Sequence, residues 1–305
     1  MGLKDKAGDI AERLPLAAQD VLRSGYALTR TQQRAAAGRA FQNAVQSDQP
    51  QRRPVAEITE FAARYPARPD YSYDPAVLSR RGEQRSRALL RFRQAAEAHD
   101  YLELGCWDGM VGAALSHAGK HVIGVDRTDA GFDGRAIDAG AQLLVMDAER
   151  LDLATDSVDF AYSYDAFEHF LHPDRVLDQL ARVVRPGGHV WMEFGPLYMS
   201  PFGPHIYRKL PVPYGHYLWP QAAIDDYVER TGFPPVDWSH CNGWRISSFR
   251  RLFSTCDEWA VKRYSESLEL DHLNLVRRWP ELFKSHTTDF NDLIVSHIRV
   301  LMRRR

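Results

Sequence analysis

Short apolar runs alternate with helix-sized segments between residues 101 and 194, and this alternation constrains the fold more than any other feature. The runs read YLEL, HVIGV, QLLVM, VDFAYSY and HVWMEF, and segments such as DGMVGAALSHAG and PDRVLDQLARVV lie between them. Strand-sized runs separated by helix-sized ones indicate βαβ units. We therefore expect a doubly wound α/β fold, with a mostly parallel sheet and helices on both faces.

Residues 1–98 are predicted to form a helical N-terminal extension, or cap, that precedes the main domain at residues 99–305. Apolar residues recur at helical spacing near the N-terminus, although Gly25 and Gly38 weaken a continuous helix there. The stretch SDQPQRRP interrupts the pattern, and a helix is predicted over about residues 76–98. This extension is a candidate lid over the cofactor and a candidate homodimer interface.

The alternation of strands and helices lapses after residue 195. Residues 196–240 begin with PLYMSPFGPHIYRKLPVPYGHYLWP, which is rich in proline and aromatic residues. The segment is too apolar for a linker and too broken for regular structure, so we expect an ordered, lid-like insertion. Helices are predicted near residues 221–231 and 247–254, and strands near residues 259–264 and within DLIVSHIRVLM.

Composition excludes several classes of protein. The 305 residues include 39 basic and 40 acidic side chains, so the net charge of −1 gives no overall attraction to nucleic acids or membranes. Three cysteines without a CxxC pair argue against a disulfide framework or a thiolate zinc site. No apolar run reaches the roughly 18 residues of a membrane span, and the N-terminus has no signal-peptide core. We expect a soluble, cytoplasmic protein.

The stretch LELGCWDGMVG at residues 102–112 has almost the form of a nucleotide-binding glycine loop. Gly105, Gly109 and Gly112 follow the spacing G-x-x-x-G-x-x-G, and Trp107 stands where such loops usually carry a small residue. A pyrophosphate needs close approach of the backbone, which Trp107 would compromise. The spacing therefore disfavours a nicotinamide-dependent oxidoreductase, and a purely structural strand-to-helix turn stays an alternative.

Acidic residues end the next two predicted strands. Asp126 closes VIGVD at the distance after Gly105 that suits hydrogen bonds to ribose hydroxyls. Asp147 ends LLVMD, where its side chain or the N–H of Ala148 can meet an adenine edge. Each aspartate alone could instead cap a helix. Suitable groups at three consecutive strand ends favour a cofactor site.

In this order and spacing, LELGCWDG, VIGVD, MDAERLDLATDSVDFAYSYDAFEH and LARVVRPGGHVWMEF resemble the class I S-adenosylmethionine-dependent methyltransferases, which have a Rossmann-like fold. The match covers roughly residues 101–195. The resemblance implies an enzyme that uses S-adenosylmethionine, with its amino-acid end near Glu103, its ribose at Asp126 and its adenine at Asp147. The implied cofactor-binding residues are Glu103, Gly105, Cys106, Trp107, Gly109, Asp126, Asp147, Ala148, Tyr164 and Asp165.

Trp107 is the departure from that family, which usually has glycine at this position. S-adenosylmethionine has no phosphate, so its loop need not approach a pyrophosphate. Its sulfonium favours nearby aromatic faces and carboxylates. Trp107 is therefore compatible with the cofactor, either packing outward on neighbouring elements or lining the methionine pocket.

Three histidines are the candidate catalytic residues. His169 follows the fourth strand in DAFEHFLHP, and a role in supporting the fold is an equal alternative for it. His205 and His216 lie in the predicted insertion and would suit a general base near neutral pH if that segment covers the acceptor. A packed loop whose histidines bond to the backbone is the alternative for both.

No metal site and no nucleic-acid substrate are predicted. Glu168, His169 and His172 are close in sequence, but neighbouring residues such as Glu168 and His169 point to different sides of a helix or strand. The sequence Tyr-Asp-Ala-Phe after the fourth strand is unlike the base-extrusion motif Asn-Pro-Pro-Tyr.

The expected function is methyl transfer to a small or medium-sized organic acceptor, in the first place O-methylation of a natural-product-like or metabolic compound. N-methylation of a small molecule or peptide is one alternative. A non-catalytic binding or scaffold protein, with its cofactor pocket blocked by Trp107, is another.

Overall fold

The computed structural model describes residues 16–66 and 72–305, and side-chain burial from residue 29 onward. The predicted helical spacing before residue 16 lies outside the described residues. In the described part the strands are β1 (Asp100–Leu104), β2 (His121–Asp126), β3 (Gln142–Val145), β4 (Val158–Tyr164), β5 (Val184–Phe194), β6 (Trp259–Leu268) and β7 (Val295–Arg304). The α-helices are α1 (Leu16–Asn43), α2 (Ile58–Ala63), α3 (Pro75–Leu89), α4 (Arg93–Glu97), α5 (Met110–His117), α6 (Gly134–Asp138), α7 (Pro173–Val183), α8 (Gly215–Leu218), α9 (Gln221–Arg230), α10 (Ile246–Thr255), α11 (Leu273–Arg278), α12 (Pro280–Lys284) and α13 (Phe290–Ile294).

The strands form one sheet in the order β3-β2-β1-β4-β5-β7-β6. Strands β1 to β5 are parallel to one another, and β7 is antiparallel to both β5 and β6. This confirms the mostly parallel, doubly wound sheet. The strand order reverses between β1 and β4, and open α/β sheets bind ligands at the carboxyl ends of the strands at such a point.

Both faces of the sheet are covered. Leu102 and Leu104 of β1 belong to the main core, together with Leu180 of α7. Tyr101 belongs to a second core with Leu115 of α5 and Leu89 of α3. Because successive side chains of a strand point to opposite faces, these two cores lie on opposite sides of β1.

The N-terminal extension differs from the prediction at two places. The helix predicted over residues 76–98 is interrupted after Leu89, so α3 and α4 are separate. Helix α1 is continuous through Gly25 and Gly38, which were expected to weaken it. A Cβ at Gly38 would lie 3.5 Å from the Phe290 ring, an ordinary van der Waals distance, so this face of the helix packs on the start of α13. Tertiary packing outweighs the low helix propensity of glycine.

The segment after β5 is better ordered than its proline content indicates. It contains α8, the predicted helix α9 and a 3-10 turn at Ile206–Arg208. Trp219 is buried, and its indole N–H donates to the carbonyl of Pro54 at 3.1 Å. The insertion is thus packed against the segment that follows α1.

The last predicted strand begins later than expected. The first residues of DLIVSHIRVLM lie in α13, whose start is capped by Asp289 accepting the Asn291 N–H at 2.8 Å. Strand β7 then runs from Val295 between β5 and β6. The Asp-Phe-Asn-Asp sequence before the apolar run favours a helical turn because aspartate is a good helix cap.

Candidate functional site

The glycine loop lies between β1 and α5, at the carboxyl ends of the strands where the strand order reverses. We call this region the crevice. Gly105 and Gly109 have φ values of +68° and +70°, which favour glycine. A Cβ at Gly105 would lie 2.4 Å from the Cβ of Ala166, and one at Gly109 would lie 2.8 Å from the Leu143 methyl groups. The loop therefore needs both glycines for its backbone conformation, Gly105 also for its close approach to the turn after β4, and Gly109 for its close approach to β3.

Trp107 also has a positive φ, of 46°, and its backbone N–H donates to Asp126 Oδ2 at 3.0 Å. Its indole lies on Gly131, where a Cβ would be 2.5 Å from Trp107 Cδ2. The side chain is thus directed over the loop that follows β2. The backbone of Trp107 holds the carboxylate of Asp126 at the strand end.

Glu103 is a buried acid at the end of β1, 3% exposed, and it accepts a hydrogen bond from Tyr162 Oη at 2.9 Å. Burial raises the pKa of Glu103 to about 8, and the hydrogen bond from Tyr162 opposes that rise only in part. A positively charged group beside it would favour its ionised form. The position suits a cationic ligand.

Helix α3 covers this end of the crevice with two arginines that sequence reasoning missed. Arg81 pairs with Asp108 of the glycine loop at 2.6 Å. Arg85, one helical turn later, pairs with Asp165, and its guanidinium lies 4.8 Å from the centre of the Tyr164 ring. The four-residue spacing places Arg81 and Arg85 on one face of α3, which the sequence shows. No sequence pattern near α3 identifies Asp108 and Asp165 as their partners.

The arginine pairs give the cap its electrostatic character. Desolvation lowers the pKa of Arg85, but the charge of Asp165 and its hydrogen bond outweigh that effect and raise it overall. Tyr164 is buried, which raises the pKa of its hydroxyl, and that hydroxyl donates to the carbonyl of Arg85 at 3.3 Å. Arg85 is therefore a permanent positive charge at the mouth of the crevice.

These groups fit S-adenosylmethionine. Acids at the ends of β1 and β2 and after β4 can face its ammonium, ribose and sulfonium, and Asp165 remains 49% exposed at its side chain. The backbone N–H groups of the loop donate within the protein: those of Gly105 and Cys106 donate to the carbonyl of Val125, and that of Gly109 donates to the carbonyl of Cys106. Arg85, which pairs with Asp165, is a positively charged group at the same end of the crevice.

At the end of β3, the predicted cofactor-binding residues Asp147 and Ala148 make contacts within the protein. Asp147 accepts the N–H of Glu149 at 2.9 Å, so its side chain caps the turn after β3. Ala148 is buried in the main core. Cys106 is buried too, and burial raises the pKa of its thiol, so it packs as a neutral side chain.

The structure brings two of the three predicted catalytic histidines together. The rings of His169 and His205 are 4.9 Å apart between centroids. His216 lies in a different group, with its ring 3.9 Å from that of Tyr217 and 5.7 Å from that of Tyr198. Neither ring nitrogen of His216 has a hydrogen-bond partner.

Burial keeps these imidazoles neutral. Desolvation, with the neighbouring histidines, lowers the pKa of His169 to about 4 and that of His205 to about 3. Desolvation also lowers the pKa of His216 to about 3. A neutral imidazole offers a lone pair, which can accept a proton or bind a metal ion.

Glu168 and His169 do not point apart as predicted. Residues 165–171 form an irregular turn, so the alternation of a regular element does not apply, and Glu168 Oε1 lies 3.7 Å from His169 Nε2. His172 does precede α7, and Pro173 occupies the first helical position as predicted.

Sequence reasoning also missed His240 and Cys241, which come from the segment between α9 and α10. The carbonyl of His240 lies 2.6 Å from His169 Nδ1, and Cys241 Sγ lies 3.8 Å from the same nitrogen. No motif spacing links these residues to His169, because only the folded chain brings them together.

No helix in the described ranges is both long and apolar enough to span a membrane.

Part of this chain is similar to known methyltransferases. Residues 102–192 match a family described as a methyltransferase domain. An uncharacterized methyltransferase of Mycobacterium sp. (strain JLS) is 27% identical over 175 residues, which covers 52% of this chain and 67% of that protein. One of Mycolicibacterium vanbaalenii is 31% identical over 142 residues, covering 44% of this chain and 51% of that protein. The PH0226 protein of Pyrococcus horikoshii OT3 is 14% identical, covering 74% of this chain and 91% of its own, with a TM-score of 0.45.

Proposed function

We propose that this protein, a class I S-adenosylmethionine-dependent methyltransferase, methylates a small or medium-sized organic acceptor, and that the acceptor atom is a hydroxyl oxygen of a natural-product-like or metabolic compound. The observation that carries the proposal is the group formed by Glu103, Tyr164, Asp165 and Arg85. It places acids, an aromatic face and a fixed cation around one end of the crevice. That set of charges complements an ammonium, a sulfonium and a carboxylate in one ligand.

The cofactor supplies an activated methyl group, and the chain has to position the acceptor and manage its proton. Much of the rate of such a displacement comes from holding the reacting atoms in line. The insertion supports this role, since it carries His205 against His169 and brings the carbonyl of Gly203 to 3.3 Å from Cys241 Sγ.

A hydroxyl acceptor also has to lose its proton. His169 and His205 stay neutral at pH 7, because burial holds the pKa of both well below neutral pH. They are too weak as bases to ionise a hydroxyl beforehand, but each can take the proton from the strongly acidic oxonium that forms as the methyl group bonds to oxygen. A neutral amine would need no such base, so the paired imidazoles favour oxygen over nitrogen. N-methylation of a small molecule or peptide is the runner-up, and nucleic acids are disfavoured by the balanced charge of the chain.

The alternative of a binding protein without turnover requires a blocked cofactor pocket. Trp107 was the residue expected to block it. Its indole packs on Gly131 in the loop that follows β2, and its backbone N–H donates to Asp126 Oδ2. Binding of S-adenosylmethionine would show that this position of Trp107 leaves the site open.

Calorimetry with S-adenosylmethionine tests the cofactor half of the proposal. Asp126→Ala is expected to weaken binding of the cofactor, because the ribose hydroxyls lose the carboxylate that accepts their hydrogen bonds. If the unaltered protein gives no measurable heat of binding with S-adenosylmethionine, the proposal that it is a methyltransferase is wrong. Incubation with labelled S-adenosylmethionine and a metabolite extract tests the acceptor half. Its expected product is heavier by one methyl group and stable as an ether; a label attached to nitrogen would move the proposal to the runner-up.

A further inference from the structure

A group of metal-binding side chains lies beside the crevice and is built from three separate segments. His169 follows β4, His205 belongs to the insertion, and Cys241 precedes α10. One nitrogen of each histidine and the sulfur of Cys241 all lie within 4.8 Å of one another. Tetrahedral zinc, with bonds of about 2.1 Å to nitrogen and 2.3 Å to sulfur, keeps its ligand atoms roughly 3.5 Å apart. The three side chains therefore need to close by only about an ångström to meet on one ion.

The two imidazoles are already oriented by the backbone. His169 Nδ1 is 2.6 Å from the carbonyl of His240, and His205 Nε2 is 3.2 Å from the carbonyl of Pro196. A carbonyl only accepts, so each of these nitrogens carries the proton and the other nitrogen of the ring keeps its lone pair. Cys241 Sγ lies 3.8 Å from the protonated Nδ1 of His169, so the thiol has to move toward the lone pair of Nε2 to share an ion with this histidine. Zinc-bound histidines are held by the same kind of contact, which sets the tautomer and the ring orientation.

A buried acid beside the group independently points to a missing cation. Glu168 is 1% exposed, and its Oε1 lies 3.7 Å from His169 Nε2. Neither of its oxygens accepts a hydrogen bond of good geometry, although the N–H groups of Glu168 and Gly195 are close. A buried carboxylate without partners is costly. A divalent ion with one thiolate and this neighbouring carboxylate gives a site of zero net charge.

We propose that His169, His205 and Cys241 bind a zinc ion, with Glu168 as the neighbouring counter-charge. Two imidazoles and a thiolate suit Zn²⁺, and three protein ligands leave a fourth position open, as in catalytic zinc sites. Binding releases the proton of the Cys241 thiol to solvent, since the thiolate is the ligand. This site was not expected from the sequence, where the cysteines show no ligand spacing.

The role of the ion rests on the proposed function, whereas its binding does not. A hydroxyl acceptor in the fourth position would have its pKa lowered by Zn²⁺ and would lose its proton near neutral pH. The imidazoles would then serve as ligands, and the ion would replace them in promoting deprotonation. The ion would also join the insertion to the turn after β4.

Cobalt binding to the full chain tests the site without an acceptor or a cofactor. After treatment with a chelator, the protein is titrated with Co²⁺ and followed by absorption. The expected result is one equivalent bound, with a thiolate-to-cobalt charge-transfer band that Zn²⁺ displaces. Absence of stoichiometric binding, or a spectrum without the thiolate band, overturns the proposal.

Cysteine variants locate the site. Cys241→Ser is expected to lose the thiolate band and at least about 100-fold in zinc affinity, since even neighbours of zinc ligands contribute 10–100-fold. Cys256→Ser is the matched control, because Cys256 follows α10, its thiol donates to the carbonyl of Phe253 and its side chain is partly buried against the main core. Circular dichroism establishes that both variants fold. A retained band in Cys241→Ser, or its loss in Cys256→Ser, overturns the assignment.

The two proposals fail separately. If cobalt does not bind while S-adenosylmethionine binds and methyl transfer proceeds, the zinc site is wrong and the methyltransferase assignment stands. If cobalt binds with the expected spectrum and S-adenosylmethionine does not, the zinc site stands and the proposed function is wrong.

Discussion

The proposed cofactor side and the proposed acceptor side of the crevice are assembled differently. On the cofactor side, Glu103, Gly105 and Asp126 lie at strand ends, and each is placed by its own strand. On the acceptor side, His169 meets His205 and Cys241, which reach it from 36 and 72 residues further along the chain (205 − 169 and 241 − 169). Strand ends converge because the sheet is parallel, whereas the acceptor side depends on how the insertion packs. The first arrangement should tolerate changes outside the loop, and the second should not.

The largest expected effect tests the loop of the cofactor side. Gly105→Ala should cost about 3 kcal/mol of stability, from the positive φ and the contact with Ala166, and should abolish measurable cofactor binding. Gly119→Ala is the matched control: it also has a positive φ but no atom within 4 Å of the new Cβ, so about 1 kcal/mol is expected and cofactor binding should persist. Denaturant unfolding and calorimetry measure both. Equal losses in the two variants would show that the close approach to Ala166 is unimportant.

The acceptor side should respond in turnover and not in cofactor binding. His205→Ala is expected to lower kcat about 100-fold, whether His205 acts as a base or as a metal ligand, with an unchanged dissociation constant for S-adenosylmethionine. His216→Ala provides the comparison within the same insertion, and its effect on kcat is expected to be smaller because its ring lies with Tyr198 and Tyr217. Equal losses of kcat in both variants would place His216 in the mechanism after all.

Helix α3 links the extension to the cofactor side. Arg85→Ala should weaken cofactor binding about 10- to 150-fold, since a hydrogen bond to a charged group contributes about 1.5–3 kcal/mol. Arg87→Ala is the control on the same helix, because Arg87 is exposed and pairs only with Glu83 along α3. Binding titrations compare the two. If Arg85→Ala binds more tightly than the unaltered protein, Arg85 blocks the site and does not complete it.

The smallest effect concerns the pH dependence of stability. The pKa of His216 is lowered from 6.5 to about 3 on folding, chiefly by desolvation, so the unfolded chain binds the proton more readily. Stability should therefore fall as the pH drops below 6.5, by about 1–2 kcal/mol at pH 5. His216→Phe removes this contribution, and its aromatic ring can still pack on Tyr217. Urea unfolding from pH 7 to pH 5 should show a shallower decline for the variant; parallel curves would contradict the burial of a neutral imidazole.

Sequence reasoning performed best where structure is local. The runs VIGVD and VDFAYSY became β2 and β4 because alternation and apolar content are properties of a few neighbouring residues. It performed less well where a contact decides the outcome. Helix α1 continues through Gly38, where it packs on Phe290, a residue more than 250 positions away, and such tertiary packing outweighs the low helix propensity of glycine. Helix α3 likewise ends at Leu89 although no glycine or proline stands near this position in the sequence.

The same division holds for the site. The glycine loop and the acids after β1 and β2 followed from the sequence alone, since a parallel sheet brings its strand ends to one edge whatever surrounds them. The partners of Asp108 and Asp165, which are Arg81 and Arg85, were decided only when α3 packed on α5. The group of His169, His205 and Cys241 is likewise a product of the tertiary structure. Burial and mutual proximity give these side chains their chemistry, and neither is encoded in spacing along the chain.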